Sequence, residues 1–254
     1  QFAGQWLRSR DVEYVDLQIA EILHRDQAPD PALAKLRRKL VTLRRIKPDE
    51  ITEEQQSELR EVRKQFEAAE ARLKKFQPED FRGIQPLMRE ETEMHFDHVL
   101  REDRPLHELL DCDYAFLNDR LAKHYGIEGV WGDKLRKVTL PKDNPRGGIL
   151  TQGTMLVTTS NPNRTSPVKR GLYILENILG VPPAPPPPDI PDLPEVRFPK
   201  GADVPSLRES LAKHREDPTC SACHNRMDPI GLAFENFNAL GLWREAESGK
   251  PIDP

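Results

Sequence analysis

Two cysteines and a histidine near the C-terminus have the types and spacing needed to hold a metal-containing cofactor. Cys220 and Cys223 are separated by two residues, and His224 follows directly. In a Cys-x-x-Cys-His motif each thiol can form a thioether with a vinyl group of one haem, and the histidine can bind the iron. The motif therefore predicts a single covalent haem c, attached at Cys220 and Cys223, with His224 as the proximal iron ligand.

Two other chemistries stay open for the same motif. A thioredoxin-like redox pair uses Cys-x-x-Cys in a βαβ context, whereas this motif follows a polar helical segment and precedes a predicted turn at 227–231. A zinc site would need two more ligands, for which Cys112 and His214 are candidates without the usual paired spacing. The alternative role of Cys112, the third cysteine, is that of a small buried apolar side chain.

The second ring nitrogen of His224 needs an acceptor that fixes the orientation of the ring. The predicted turn at 227–231, which contains Pro229, could supply a backbone carbonyl for this purpose. Asp228 is the second candidate, and a carboxylate in this position would also tune the reduction potential.

The sixth iron ligand decides between electron transfer and small-molecule chemistry. No methionine follows Met227, so a second ligand must come from upstream, where Met155 and His124 are the candidates. The alternative for each is core packing, with Met155 as a gap filler and His124 bonded to a carbonyl. A methionine would raise the potential and a second histidine would lower it, while an open position would permit reactions with peroxide.

The segment 161–170 is polar and basic. Haem propionates need positive or donor groups around them when they are buried. We therefore predict that this segment binds the propionates, with Arg164 and Arg170 among its donors. The alternative is an ordinary polar loop that caps the following helix.

The hydrophobic pattern is helical along most of the chain. Apolar side chains recur every three or four residues in 2–23 and again across 83–125, where Gly126 predicts the helix end. Between them, two amphipathic stretches predict an antiparallel, coiled-coil-like hairpin at about 32–76. Its second helix opens with the capping-box pair Thr52 and Gln55.

The remaining segments are shorter and more irregular. Residues 131–160 are rich in turn residues and lean towards β structure, and short helices are predicted at 170–179 and 206–215. The proline-rich stretch 182–199 predicts an extended polyproline strap. This strap either lies across its own domain or is bound by the aromatic groove of a partner.

Composition argues against two classes of protein. The 38 basic and 42 acidic residues give a net charge of −4, without the clustered basic excess of a nucleic-acid-binding protein. No stretch approaches the roughly 20 apolar residues of a membrane-spanning helix. Because the chain starts at Gln1 and ends in a connecting sequence at 249–254, we expect it to be a piece of a longer protein.

Several stretches resemble a family of exported planctomycete proteins described as cytochrome c proteins. The resemblance is carried by MREETE at 88–93, LAKHYGI at 121–127, TSNPNRTSPVKRG at 159–171 and HNRMDPIG at 224–231. It implies the C-terminal part of a DUF1592 domain followed by a DUF1588 domain, with DUF1585 truncated away. The family implies an exported haem protein but no established reaction, and the hairpin at 32–76 departs from its usual shorter connection.

We therefore predict a mainly α protein with two parts. A helical domain at 1–130 contains the inserted hairpin, a cytochrome c-like haem domain at 131–246 contains the polyproline strap, and 247–254 starts a linker. The predicted function is electron transfer within an exported redox or degradative assembly, in the periplasm or at the cell surface. Its partner would be a redox protein or neighbouring domains of the full-length chain.

Two alternative functions remain. One is a peroxidase-like haem enzyme with an open sixth position. The other is an interaction scaffold in which haem or zinc is mainly structural.

Overall fold

A computed structural model describes residues 2–26, 31–46, 51–73, 78–184 and 205–254. The protein is mainly helical with little strand, which confirms the predicted mainly α class. The predicted strap at 182–199 lies, apart from its first three residues, outside the described residues. No helix in the described part of the chain has the length and apolar character needed to cross a membrane.

The described elements are short except for the two helices of the hairpin and two others of 17 and 15 residues. The α-helices are α1 Phe2–Trp6, α2 Ile19–Asp26, α3 Pro31–Arg44, α4 Glu53–Leu73, α5 Pro78–Phe81, α6 Gln85–Arg101, α7 Asp119–Tyr125, α8 Gly153–Thr158, α9 Pro167–Tyr173, α10 Leu207–His214 and α11 Pro218–Leu232. Short segments of other helix types occupy Ser9–Tyr14, Leu106–Leu109, Ile149–Thr151 and Ile174–Ile178. The strands are β1 Tyr114–Leu117, β2 Arg136–Thr139, β3 Ala246–Glu247 and β4 Lys250–Pro251.

The predicted hairpin is present as α3 packed against α4. Leu40, Leu43 and Val62 form its small core, and Lys39 Nζ lies 2.5 Å from Glu58 Oε1 across the two helices. Thr52 and Gln55 cap α4 reciprocally, with amide-to-side-chain distances of 3.0 and 3.3 Å. The capping box that the sequence predicted is therefore formed, and the hairpin has an apolar cluster of its own.

The prediction of one helix over 2–23 is wrong, because this segment is divided into α1, a 3₁₀ turn and α2. The backbone of Arg8 adopts a left-handed conformation with φ of 53° and ends the first helix. The carbonyls of Val12 and Val15 then accept hydrogen bonds from the Gln85 amide at 2.8 and 2.9 Å. A side chain from α6 thus satisfies the carbonyls that a continuous helix would have used itself.

The prediction of continuous helix over 83–125 is also wrong, since 114–117 is a strand. β1 pairs antiparallel with β2, with Tyr114 opposite Thr139, and all four β1 residues are buried. Helix resumes because the Asn118 side chain accepts the amide of Leu121, and it ends at Gly126 in the left-handed region with φ of 72°. Gly126 is therefore the predicted C-cap.

One large apolar cluster joins the two predicted domains. Its buried members run from Val12 through Met88 and Leu121 to Ala239 and Leu240. The predicted boundary near residue 130 falls within this cluster, since Val130 is itself a buried member. Residues from both sides of the boundary therefore share one core.

Two glycines bring α9 and α11 unusually close together. A Cβ at Gly231 would overlap the carbonyl oxygen of Pro167, and a Cβ at Gly171 would overlap that of Met227. Only glycine fits at these two positions without moving a helix backbone. This antiparallel crossing fixes the C-terminal half of α11, and with it the helix that carries the cysteine motif.

Candidate functional site

The Cys-x-x-Cys-His motif lies in the first half of α11. Asp217 caps this helix by accepting the amide of Thr219 at 2.8 Å, and Pro218 occupies the first turn, where its missing N–H is harmless. The helix continues to Leu232, so the turn predicted at 227–231 is wrong. Pro229 is tolerated within the helix on its exposed side.

Helical geometry places the three motif side chains on one face. Residues three and four positions apart are neighbours on a helix surface, so Cys223 and His224 lie directly beside Cys220. The same stripe continues through Met227, Asp228 and Gly231, which are buried against the protein. At the motif the stripe is only half-buried, so the two cysteines and His224 are partly accessible to solvent.

The His224 ring is held by a buried carboxylate. Its Nδ1 lies 2.9 Å from Asp228 Oδ1, one helical turn further along. The other carboxylate oxygen accepts a hydrogen bond from Arg215 at 2.9 Å. Asp228 is fully buried, whereas the His224 side chain is 17% exposed. The pair engages Nδ1 and leaves Nε2 as the ring nitrogen that can bind a metal.

Asp228, the second candidate for this role, thus provides the acceptor. Pro229 does not, because its carbonyl accepts the amide of Ala233 at 3.4 Å. In a turn a carbonyl could point towards the histidine, but in a helix each carbonyl points along the axis towards later residues. The i to i+4 spacing of His224 and Asp228 instead lets their side chains meet.

Two further groups lie close to the motif. The His214 ring, at the end of α10, is perpendicular to the His224 ring with centroids 4.6 Å apart. Cys223 Sγ lies 3.9 Å from the carbonyl oxygen of Ala184, within the first three residues of the proline-rich stretch. The start of this stretch and the end of α10, which follows it, therefore both approach the motif.

Cys112, the other candidate zinc ligand, is engaged elsewhere. Its thiol donates to the carbonyl of Tyr114 at 3.1 Å and lies 4.0 Å from His95 Nε2. Burial raises the pKa of the Cys112 thiol. Among the described residues, no three His, Cys, Asp or Glu side chains gather in a way that could hold a metal ion.

Met155, one candidate for the sixth iron ligand, lies in a second apolar cluster. It packs with Tyr173, Ile174 and Phe237, and its sulfur accepts the Thr159 hydroxyl at 3.7 Å. The same cluster includes Ile230 at its edge, so it borders the C-terminal half of α11. Met155 therefore fills a gap in an apolar core, which is the alternative to iron binding that the sequence analysis kept open.

His124, the other candidate, is buried in the main core. Its Nε2 lies 2.8 Å from the carbonyl oxygen of Leu240, and its ring contacts Phe81 and Tyr125. Burial lowers the pKa of His124 to about 3, so the ring is neutral and donates this hydrogen bond. His124 thus links α7 to the C-terminal loop.

The two arginines predicted for the propionates have different surroundings. Arg170 is completely buried, and its guanidinium donates to the carbonyls of Phe234, Phe237 and Asn238 at 2.6 to 3.1 Å. Burial lowers its pKa to about 10. Arg164 is half-buried, in the loop before the Ser166 cap of α9. Arg170 therefore holds the loop that follows α11 in place. The segment 161–166 caps α9 through Ser166, as the alternative of a polar capping loop predicted.

A buried polar network beside α6 was missed by the sequence analysis. Tyr125 donates to Glu91 at 2.7 Å and accepts the amide of Gly153 at 2.8 Å, while the Arg146 guanidinium stacks on the Tyr125 ring at 3.7 Å. Burial raises the pKa of Glu91 to about 8. The available signal was a glutamate on the apolar face of a helix, which requires a buried partner.

Comparisons with known families divide the chain into two parts. A family model described as a protein of unknown function, DUF1592, matches residues 49–127, and a second, DUF1588, matches residues 146–247. The chain contains a DUF1592 domain followed by a DUF1588 domain. These are the two domains that the sequence resemblance named. No curated protein and no solved structure matches the chain.

The two domains divide the features described above. DUF1588 contains the motif, Asp228 and the crossing of α9 with α11, and DUF1592 contains α6, α7 and the candidate ligand His124. The DUF1592 match begins at residue 49 and so includes α4, the second helix of the hairpin. Neither family description names an activity.

Proposed function

We propose that this chain is a c-type cytochrome that binds one haem covalently and acts in electron transfer. Cys220 and Cys223 would form the two thioethers, and His224 would bind the iron through Nε2. The observation that carries the proposal is the half-exposed face of α11, which presents these three side chains together while Asp228 engages Nδ1. Haem bound there would supply one-electron chemistry.

The residues present fit this cofactor. Neither thiol is in a disulfide, and both are half-buried, so a haem vinyl group could reach them. The stripe continues below them into the buried residues Met227, Asp228 and Gly231, so the motif adjoins the folded core. Zinc is less well supported, because among the described residues Cys112 is engaged with Tyr114 and His95 rather than with the motif.

We further propose that the protein is exported to the periplasm or cell surface. In bacteria, haem is attached covalently outside the cytoplasmic membrane. The physiological partner would be a redox protein or another domain of a longer chain.

A peroxidase-like function is the second candidate, and a specific observation favours it. Met155 and His124, the two candidates for the sixth ligand, are both engaged in core contacts. A carboxylate bonded to His224 also makes the imidazole a stronger electron donor to a bound metal. Together these features favour an open sixth position, which is the arrangement needed to react with peroxide.

The test is an optical spectrum of protein produced with a haem-attachment system, recorded oxidised, reduced and after denaturation. Covalent haem is expected to remain with the denatured chain, and Cys220→Ala with Cys223→Ala should abolish it. Cys112→Ala is the matched control and should leave attachment unchanged, because Cys112 lies with Tyr114 and His95. A colourless wild-type protein would overturn the proposal, and zinc analysis would then follow.

The same preparation separates the two candidate functions. A six-coordinate, low-spin spectrum with little peroxide turnover supports electron transfer. A high-spin spectrum with rapid oxidation of a donor by peroxide supports the enzyme.

A further inference from the structure

Resting on the proposed function, we infer that Asp228 is a positioning residue that sets the reduction potential through His224, and that Arg215 opposes its effect. Asp228 would hold the iron ligand in one orientation and draw the potential down. Arg215 would moderate this effect by sharing the same carboxylate. The inference assigns roles to two residues that lie behind the ligand and outside the motif itself.

The contacts of the carboxylate define these roles. Each of its oxygens has its own partner, with His224 Nδ1 2.9 Å from Oδ1 and Arg215 2.9 Å from Oδ2. Asp228 is fully buried, and the Arg215 side chain is 21% exposed. Because the aspartate has no access to water, its charge acts on these two neighbours with little screening.

The surrounding backbone keeps the carboxylate in place. Met227 and Gly231, on either side of Asp228, lie at the crossing where α9 and α11 are in backbone contact. The aspartate therefore projects from the most tightly held part of α11. Arg215 comes from the short connection between α10 and α11, so it approaches from the other side.

The direction of the effect follows from charge. A histidine that donates its second N–H to a carboxylate becomes a stronger donor to its metal than one bonded to a neutral carbonyl. A stronger donor favours oxidised iron and lowers the potential. Arg215 draws electron density from the same carboxylate, so its removal should lower the potential further.

The experiment compares the midpoint potentials of the haem-loaded wild type, Asp228→Asn and Arg215→Gln by optical redox titration. Asparagine keeps a carbonyl acceptor for His224 but removes the charge, so the ratio of reduced to oxidised protein at a fixed potential should rise at least about tenfold, or about 59 mV for one electron. Arg215→Gln should shift the ratio in the opposite direction. Arg208→Gln is the matched control: Arg208 lies in α10 and pairs with Asp253, and its loss should change the ratio less than about twofold.

Opposite shifts in the two variants support the inference, since a purely structural role would not give them opposite signs. Equal potentials in all proteins, or shifts of the same sign, would overturn it. If Asp228→Asn does not fold, Arg215→Gln still tests the sign, and the iron–histidine vibration of its reduced form should move to higher frequency. A wild type without covalent haem would overturn the proposed function instead, and this is seen before any variant is made.

Discussion

Replacing Gly231 by alanine tests the close crossing of α9 and α11. The added Cβ would overlap the carbonyl oxygen of Pro167, which belongs to a helix backbone and cannot rotate away. The two helices would have to separate by about 1 Å or more to restore ordinary contact. Overpacking of this kind costs about 3 kcal/mol when backbone must move. Alanine regains about 1 kcal/mol through its higher helix propensity.

The expected net loss is therefore about 2 kcal/mol in the free energy of unfolding. For a chain of this length that loss lowers the melting temperature by about 4–8 °C. Urea and thermal unfolding of the two proteins, followed by circular dichroism, would measure it. Gly4→Ala is the matched control, because Gly4 is also helical but its nearest neighbour would be a flexible arginine side chain at 3.2 Å.

Gly4→Ala should change the free energy of unfolding by less than about 1 kcal/mol. A Gly231→Ala protein as stable as the wild type would show that the helices do not cross in backbone contact. The rigid support assigned to Asp228 would then be refuted as well.

Three further perturbations test other parts of the structure. Arg170→Met leaves three buried carbonyls without their donor and removes one of the two arginines that pair with Glu235, so it should cost about 3–5 kcal/mol in urea unfolding. A cost no larger than that of the exposed Arg8→Met would refute the role of Arg170 as a fastener of the C-terminal loop. Burial raises the pKa of Glu91 from 4.5 to about 8. Between these two pH values the folded state retains a proton that the unfolded state releases. The free energy of unfolding should therefore fall as pH rises from 4.5 to about 8. Glu91→Gln should remove this part of the fall, and parallel pH profiles of the two proteins would contradict the assignment. Leu43→Ala should lower the free energy of unfolding of the hairpin by about 2–5 kcal/mol and accelerate proteolysis within it. If the main core loses the same free energy of unfolding, the hairpin does not unfold separately.

Features determined by a few neighbouring residues could be predicted from the sequence. The capping box of Thr52 and Gln55 and the left-handed Gly126 are examples, because each depends on residues within one helical turn. The hairpin followed from apolar spacing alone. For the two caps, the sequence contains both partners of the interaction close together.

Features that depend on distant partners could not be predicted. The helical spacing around Tyr114 gave no sign of β1, although the segment 131–160, which was predicted to lean towards β structure, contains its partner β2. At 227–231, a proline and a glycine indicated a turn, but Gly231 is required by the approach of α9 rather than by a bend. That error made a backbone carbonyl of this segment the first candidate partner of His224, with Asp228 second. The burial of Arg170 depends on three carbonyls more than 60 residues later.

The shared apolar core bears on how such chains can be recombined. Val157 and Leu240 from DUF1588 and Met88 and Leu121 from DUF1592 belong to one packed cluster. A chimera joined between residues 127 and 146 would combine core side chains from two different proteins. Their volumes would not match, and volume mismatches inside a core cost stability. We therefore expect the two domains to be inherited as a pair and exchanged as a single block. Either one expressed alone would expose the apolar surface that the other covers.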